Sequence, residues 1–241
     1  MFVQMPLKIG LKDEACFETF ITEQESQAVA LSSLMNALKA PRGNAFYLYG
    51  ESGVGKTHLL QAACRYITEK GKASVYIPMS DESLPLIPDV LIGLEQTPVV
   101  CLDDIHPKIG NKSWELALAN LITKSSVQGH ILILAGDNSI VDWKIATPEL
   151  AKALMTVLPI VLTPLTQKEE LISALQRHSL RLGFELPEKV GDYLVKKYSY
   201  DLQELLAVLT LLEQASLVEK RRLSLGFVKK VLENKDFQHG S

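Results

Sequence analysis

A glycine-rich run, GESGVGKT at residues 50–57, constrains this chain more than any other feature. It follows a short apolar and aromatic stretch, AFYLY (45–49), and precedes residues 56–70, whose apolar positions have helical spacing. Glycines allow the backbone to turn with positive φ and to approach an anion closely, and a helix N-terminus favours negative charge. The strand, loop and helix therefore predict a phosphate-binding loop inside an α/β fold.

The pattern Gly50-x4-Gly55-Lys56-Thr57 fits the Walker A motif in full. Lys56 would bring positive charge to the β- and γ-phosphates, and the Thr57 hydroxyl is an oxygen ligand suited to Mg²⁺. His58 directly follows the loop, and His106 follows the apolar run that ends at Asp104. Either histidine could contact nucleotide or a partner, but solvated or capping roles are more common for such residues. The residues expected to contact nucleotide are Gly50, Ser52, Gly53, Val54, Gly55, Lys56, Thr57 and His58.

Carboxylates end two further apolar runs, VVCLDD (99–104) and the stretch that leads from HILILA (130–135) to Asp137. In an open parallel sheet, ligands bind at the carboxyl ends of the strands. Asp103 is therefore expected to hold Mg²⁺ together with Thr57. Asp104, placed to orient an attacking water, and Asp137, placed to sense the terminal phosphate, are the two catalytic candidates. For Asp137 an ordinary strand-to-helix turn is an equal alternative.

Five apolar runs alternate with helical patterns in the first two thirds of the chain, at 45–49, 74–78, 98–102, 130–135 and 158–162. This alternation predicts a five-stranded parallel sheet with helices on both faces. After Pro164 only helical patterns remain. We therefore expect an N-terminal extended segment (1–22), an α/β nucleotide-binding domain (23–165) and a small all-helical domain (166–241).

Charge and cysteine content exclude several functional classes. The formal net charge is −3 and neither half carries a strong positive excess, so direct DNA binding is expected to be weak at most. Cys16, Cys64 and Cys101 show neither metal-ligand spacing nor a close pair. Because no apolar run approaches the roughly 18 residues of a membrane span and no signal pattern opens the chain, a cytoplasmic location without membrane contact is expected.

Together these motifs resemble those of the AAA+ ATPases, and within them the bacterial initiator DnaA and the Hda family. The segment 47–64 is similar to the Walker A region of that group, 99–105 to Walker B and 132–137 to the sensor 1 strand. The segment LRLGFELPEKVGDYLVKK (180–197) closely resembles the Hda lid. The resemblance implies an AAA+ P-loop domain followed by a helical lid, with ADP or ATP and Mg²⁺ as ligands. The absence of a basic DNA-binding helix after the lid favours the Hda family over the initiator.

The N-terminal peptide Gln4-Met5-Pro6-Leu7-Lys8-Ile9 is similar to the clamp-docking peptide of the Hda family, Gln-Leu-x-Leu-x-Leu. The resemblance implies that Gln4, Met5, Leu7 and Ile9 bind the DNA polymerase III β sliding clamp as an extended strand. A frayed N-terminus is the alternative. The implied partners are this clamp and the DnaA initiator, a homodimer is compatible with both, and the implied function is negative regulation of replication initiation.

Two positions depart from the family pattern. The arginine-finger position of the segment 148–154 holds Ala153, and the sensor 2 position of the lid holds Gln203; no arginine occurs between Arg65 and Arg177. A finger is worth about 10³–10⁵ in rate, so weak or no intrinsic ATPase activity is expected and promotion of hydrolysis on the initiator is in doubt. A DnaA- or DnaC-like ATPase that loads a helicase and a purely structural adaptor are the alternative functions.

Overall fold

The computed structural model describes residues 15–22, 24–199 and 201–236 of the 241-residue chain, with no side-chain description at 181, 203 and 234–236. The chain separates into two compact units, one that ends at Thr163 and one that begins at Pro164. The clamp-type peptide predicted at Gln4, Met5, Leu7 and Ile9 lies outside the described residues.

The first unit alternates strands and helices, as the sequence predicts. A short 3-10 helix (Phe17–Thr19) comes before the first α-helix. The regular elements that follow are α1 (Glu25–Lys39), β1 (Ala45–Tyr49), α2 (Lys56–Glu69), β2 (Ser74–Pro78), β3 (Val99–Asp103), α3 (Lys112–Val127), β4 (Ile131–Gly136), α4 (Pro148–Leu154) and β5 (Val157–Val161).

These five strands form one parallel sheet in the order β2-β3-β4-β1-β5. Every residue of β3 and β4 is buried, because helices cover both faces of these central strands. The predicted five-stranded parallel sheet is confirmed. In its register Tyr49 pairs with Gly136, and Leu102 pairs with Leu134, so β1, β3 and β4 release their next residues at the same edge.

The sheet carries one apolar cluster on each face. One cluster joins the sheet to α1 and α2 and includes Leu34, Phe46 and Leu59. The other joins it to α3 and α4 and includes Tyr47 and Leu118. Because side chains alternate along a strand, neighbouring residues of β1 contribute to opposite clusters. The result is the three-layer arrangement expected of an α/β domain.

All regular structure described in the second unit is helical: α5 (Lys168–Arg181), α6 (Glu188–Lys197), α7 (Leu202–Glu219) and α8 (Leu225–Asp236). Leucine, valine and phenylalanine side chains from these helices form one buried cluster. Two of these helices begin at capping residues: Ser224 Oγ accepts from Phe227 N at 3.3 Å, and Asp201 Oδ1 accepts from Glu204 N at 3.0 Å. The predicted helical lid is confirmed.

Within the described ranges, the helices are all too short or too polar to span a bilayer.

Candidate functional site

The loop between β1 and α2 has the backbone that the sequence predicts. Gly50, Gly53 and Gly55 have φ values of 149°, 83° and 97°, which side-chain-bearing residues rarely adopt. A Cβ atom on Gly50 would lie 2.1 Å from the Leu162 carbonyl oxygen, and one on Gly55 would lie 2.7 Å from Phe20 Cε2. Glycine is therefore required at both positions, by conformation and by space.

The N-terminus of α2 faces the same loop. Its capping residue, Gly55, has no side chain to accept hydrogen bonds from the first helical amides. These N–H groups and the helix dipole are the elements that bind anions in phosphate loops. The local backbone is thus suited to a phosphate group.

Lys56 is buried, with only 6% of its surface exposed. Its ammonium group donates to the carbonyl oxygens of Gly50 (2.6 Å) and Glu51 (2.9 Å) and to Asp137 Oδ1 (3.0 Å). Asp137 reaches the loop because it directly follows β4, the neighbour of β1 in the sheet. Two predicted site residues from distant parts of the sequence are therefore in direct contact.

Asp103 is the last residue of β3 and is 2% exposed. Its Oδ2 accepts from the Tyr76 hydroxyl at 2.8 Å, while Oδ1 is buried without a hydrogen-bond partner among the described residues. Burial raises the pKa of this carboxyl, and the hydroxyls of Thr57 and Tyr76 and the Lys56 charge only partly oppose that rise. Burial, followed by the charge of Asp103, also raises the pKa of Tyr76, which therefore stays a hydrogen-bond donor.

Buried carboxylate oxygens normally have a hydrogen-bond donor or a cation as partner. An Asp103 oxygen without a donor, beside a threonine hydroxyl, is a suitable ligand for a hard divalent cation. Thr57 and Asp103 are the residues that would hold such an ion. The sequence predicts the same two residues as Mg²⁺ ligands, and that assignment stays a prediction. Metal coordination would supply the electrostatic partner that Oδ1 otherwise lacks.

Asp104 has a different environment from Asp103, although the two are adjacent. Its φ is 52°, so its side chain leaves the strand direction, and Oδ2 accepts from Ser80 Oγ at 3.1 Å. Ligand-type atoms of Asp104, His106 and Asp137 lie within 4.8 Å of one another. Asp137 is already paired with the Lys56 ammonium, so we assign no metal to the cluster of Asp104, His106 and Asp137.

The segment before α1 packs on the phosphate loop. Phe20 is buried beside Gly55, and His58 Nε2 lies 2.7 Å from the Cys16 carbonyl oxygen and 3.2 Å from Thr19 Oγ1. The imidazole of His58 thus contacts the N-terminal segment. Its predicted contact with nucleotide stays a prediction.

The arginine-finger position lies in α4. Ala153 is 6% exposed and packs with Leu150 and Leu154 in the cluster under the sheet, whereas Lys152 is exposed. The side chain at 153 therefore faces the interior. The other departure from the family pattern, Gln203, has no described side chain.

Sequence reasoning missed Glu115, which is fully buried in α3. Its carboxylate accepts from Gly110 N at 2.8 Å, from Ala146 N at 2.9 Å and from Thr147 Oγ1 at 2.8 Å. It thereby connects two loops, one of which leads into α4. Helical spacing gave no signal for it, because a glutamate beside Trp114 looks like part of a solvated face.

Comparison with known proteins adds two family matches. Residues 168–232 match the family model of the Hda lid domain, and residues 11–84 match that of the bacterial DnaA ATPase domain. The two models match opposite ends of the chain, one in each compact unit.

Solved structures share the fold. Domain III of the Thermotoga maritima replication initiation protein DnaA has a TM-score of 0.74 at 20% identity, with 93% of this chain and 98% of that chain covered. AMPPCP-bound DnaA from Aquifex aeolicus has a TM-score of 0.71 at 20% identity, with 95% and 70% covered. A DnaA bound to AMPPCP and single-stranded DNA has a TM-score of 0.71 at 18% identity, with 87% and 69% covered.

At such identities the structural likeness shows the fold alone, and each family model describes only the part of the chain that it matches. The first unit thus carries a segment of the DnaA ATPase type on the fold of DnaA domain III, and the second unit matches the Hda lid domain.

Proposed function

We propose that this protein is an Hda-like negative regulator of replication initiation that binds ADP or ATP with Mg²⁺ in the loop 50–57. The observation that carries the nucleotide site is the convergence of three features at one sheet edge. These are the buried ammonium of Lys56, the unpartnered oxygen of Asp103 and the side-chain-free N-terminus of α2.

In this proposal the main-chain amides of the glycine loop bind the phosphates and Lys56 exchanges its carbonyl partners for phosphate oxygens. Thr57 and Asp103 hold Mg²⁺, which supplies charge neutralisation at the β- and γ-phosphates. Asp104, turned away from the strand direction, is the residue to orient water. Asp137, in contact with Lys56, is the residue to sense the terminal phosphate.

Hydrolysis by the chain alone is proposed to be weak. An arginine finger must project from the surface to reach a neighbouring site, and Ala153 faces the core. Lys152 is exposed, but an ammonium does not reproduce the planar fork of a guanidinium. Nucleotide therefore acts mainly as a structural ligand of the fold.

The first experiment tests the nucleotide site. Saturating ADP or ATP with Mg²⁺ at about 100 times Kd is expected to stabilise the protein by about 2.7 kcal/mol, measured as a rise in Tm. Lys56→Ala is expected to abolish the rise, and Asp103→Asn to remove its dependence on Mg²⁺. The matched control is Lys72→Ala, an exposed lysine just beyond α2. An equal rise in the Lys56 variant would contradict the assignment.

The second experiment tests the clamp partner. We propose that the N-terminal peptide docks on the β sliding clamp through Gln4, Met5, Leu7 and Ile9, and that the DnaA initiator is the target. Immobilised clamp is expected to retain the full chain and to lose it on Gln4→Ala. Gln128→Ala, at the exposed end of α3, serves as the control that keeps retention. Equal retention of both variants would remove the clamp from the proposal.

A further inference from the structure

The Asp137 carboxylate lies between two groups that can each carry positive charge. Its Oδ1 accepts from Lys56 Nζ at 3.0 Å, and its Oδ2 lies 3.7 Å from His106 Nε2. The Lys56 side chain is 7% exposed, whereas those of His106 and Asp137 are 35% and 46% exposed. Three elements contribute one residue each: the start of α2, the turn after β3 and the end of β4.

When Lys56 exchanges its carbonyl partners for the phosphates of the proposed nucleotide, it also gives up part of its hold on Asp137. The strength of its hold depends on how much of the carboxylate charge is shared with His106. A neutral imidazole leaves that charge to the ammonium, whereas an imidazolium forms a second ion pair with Oδ2. The charge state of His106 therefore changes what it costs Lys56 to turn to phosphate.

We propose that His106 is a positioning residue for Lys56, acting through Asp137, and that protonation of His106 strengthens binding of a nucleoside triphosphate. The inference rests on the nucleotide site proposed above and adds a regulation to it. Protonation both loosens the hold of Asp137 on Lys56 and adds a positive charge near the terminal phosphate. Both effects strengthen binding of the triphosphate.

The other charged and titratable groups near His106 are consistent with this assignment. A carboxyl oxygen of Asp104, on the same turn, lies within 4.8 Å of ligand-type atoms of both His106 and Asp137, so an imidazolium would face two carboxyl groups. Tyr47, on β1, is close enough to feel the charges of Asp137 and Asp104, but burial and those charges raise its pKa, so it stays neutral. Among side-chain types, imidazole is the one whose charge ordinarily changes between about pH 5 and 8.

The test measures the affinity for Mg²⁺-ATP by calorimetry at pH 6 and pH 8. The phosphate groups of ATP also titrate in this range, so the informative quantity is the ratio of the two affinities, compared between variants. The ratio is expected to be about two- to fivefold larger in the unsubstituted protein than in His106→Asn. His130→Asn, at the opposite end of β4, is the matched control and should keep the ratio of the unsubstituted protein.

An equal ratio in His106→Asn and in the unsubstituted protein overturns this inference alone, while the nucleotide site stands. Failure of the unsubstituted protein to bind ATP at either pH removes the nucleotide site and this inference with it. A readout without substitution is the NMR titration of the His106 ring. Because coupling is reciprocal, ATP should raise its titration midpoint, and an unchanged midpoint contradicts the inference.

Discussion

At the scale of single residues, Gly50 and Gly71 share a positive φ but not their surroundings. A Cβ on Gly50 would meet the Leu162 carbonyl oxygen at 2.1 Å, whereas nothing lies within 4 Å of a Cβ on Gly71. Gly50→Ala is therefore expected to lower the free energy of unfolding by about 2 kcal/mol more than Gly71→Ala does. Urea denaturation of the two variants measures this difference. Equal losses would mean that only the backbone conformation matters at position 50.

Two neighbouring residues, Asp103 and Asp104, show how one step along the chain changes a carboxylate. Asp103 is the last residue of β3 and is buried like the rest of that strand, whereas the positive φ of Asp104 directs its side chain to Ser80. The sequence pattern "apolar run, then two aspartates" predicted both as site residues. It gave them different roles but could not predict their different environments, because the local backbone turn depends on Ile105 N, which donates to the Ala135 carbonyl of another strand.

At the scale of elements, Glu115 connects α3 to the loop that leads into α4. Burial would raise the pKa of its carboxyl, but hydrogen bonds from Ala146, Thr147 and Gly110 outweigh burial and lower the pKa. Because the pKa is lower in the folded state, the ionised carboxylate stabilises the fold at every pH above the ordinary glutamate pKa of 4.5. This contribution is lost as the pH falls from about 4.5 through the lowered value.

Glu115→Gln is accordingly expected to lower the free energy of unfolding at pH 7 by about 1–3 kcal/mol, because an amide cannot accept all of these hydrogen bonds. The difference from the unsubstituted protein should shrink as the pH falls below 4. Denaturation curves at several pH values measure it, with the exposed Glu82→Gln as control. A difference that stays constant with pH would show that the charge of Glu115 is not what matters.

The strands and helices could be predicted from the sequence, whereas the contacts between them could be predicted only in part. Periodicity predicted all five strands, and the rule that ligands bind at strand ends brought Asp137 to the loop region. The contact of Asp137 with Lys56 follows from the order β3-β4-β1, which no single segment encodes. Tyr76 and His106 were not assigned to the site, because their roles depend on partners from other strands.

At the scale of the whole molecule, the proposal predicts an action on another protein's nucleotide. An arginine finger typically raises the rate of hydrolysis by about 10³–10⁵-fold. With clamp-loaded DNA present, this protein is expected to accelerate hydrolysis of initiator-bound ATP far less than that. Phosphate release with and without the protein measures it. Rapid turnover by this chain alone, with single-strand DNA binding, would instead favour the DnaA- or DnaC-like alternative.

The inward direction of Ala153 has a consequence for protein engineering. Since the Ala153 methyl group is buried in the same cluster as Leu150 and Leu154, a guanidinium introduced there would have to displace part of that packing. An engineered guanidinium would meet less resistance at the outward-facing neighbour Lys152, which is exposed on the same helix.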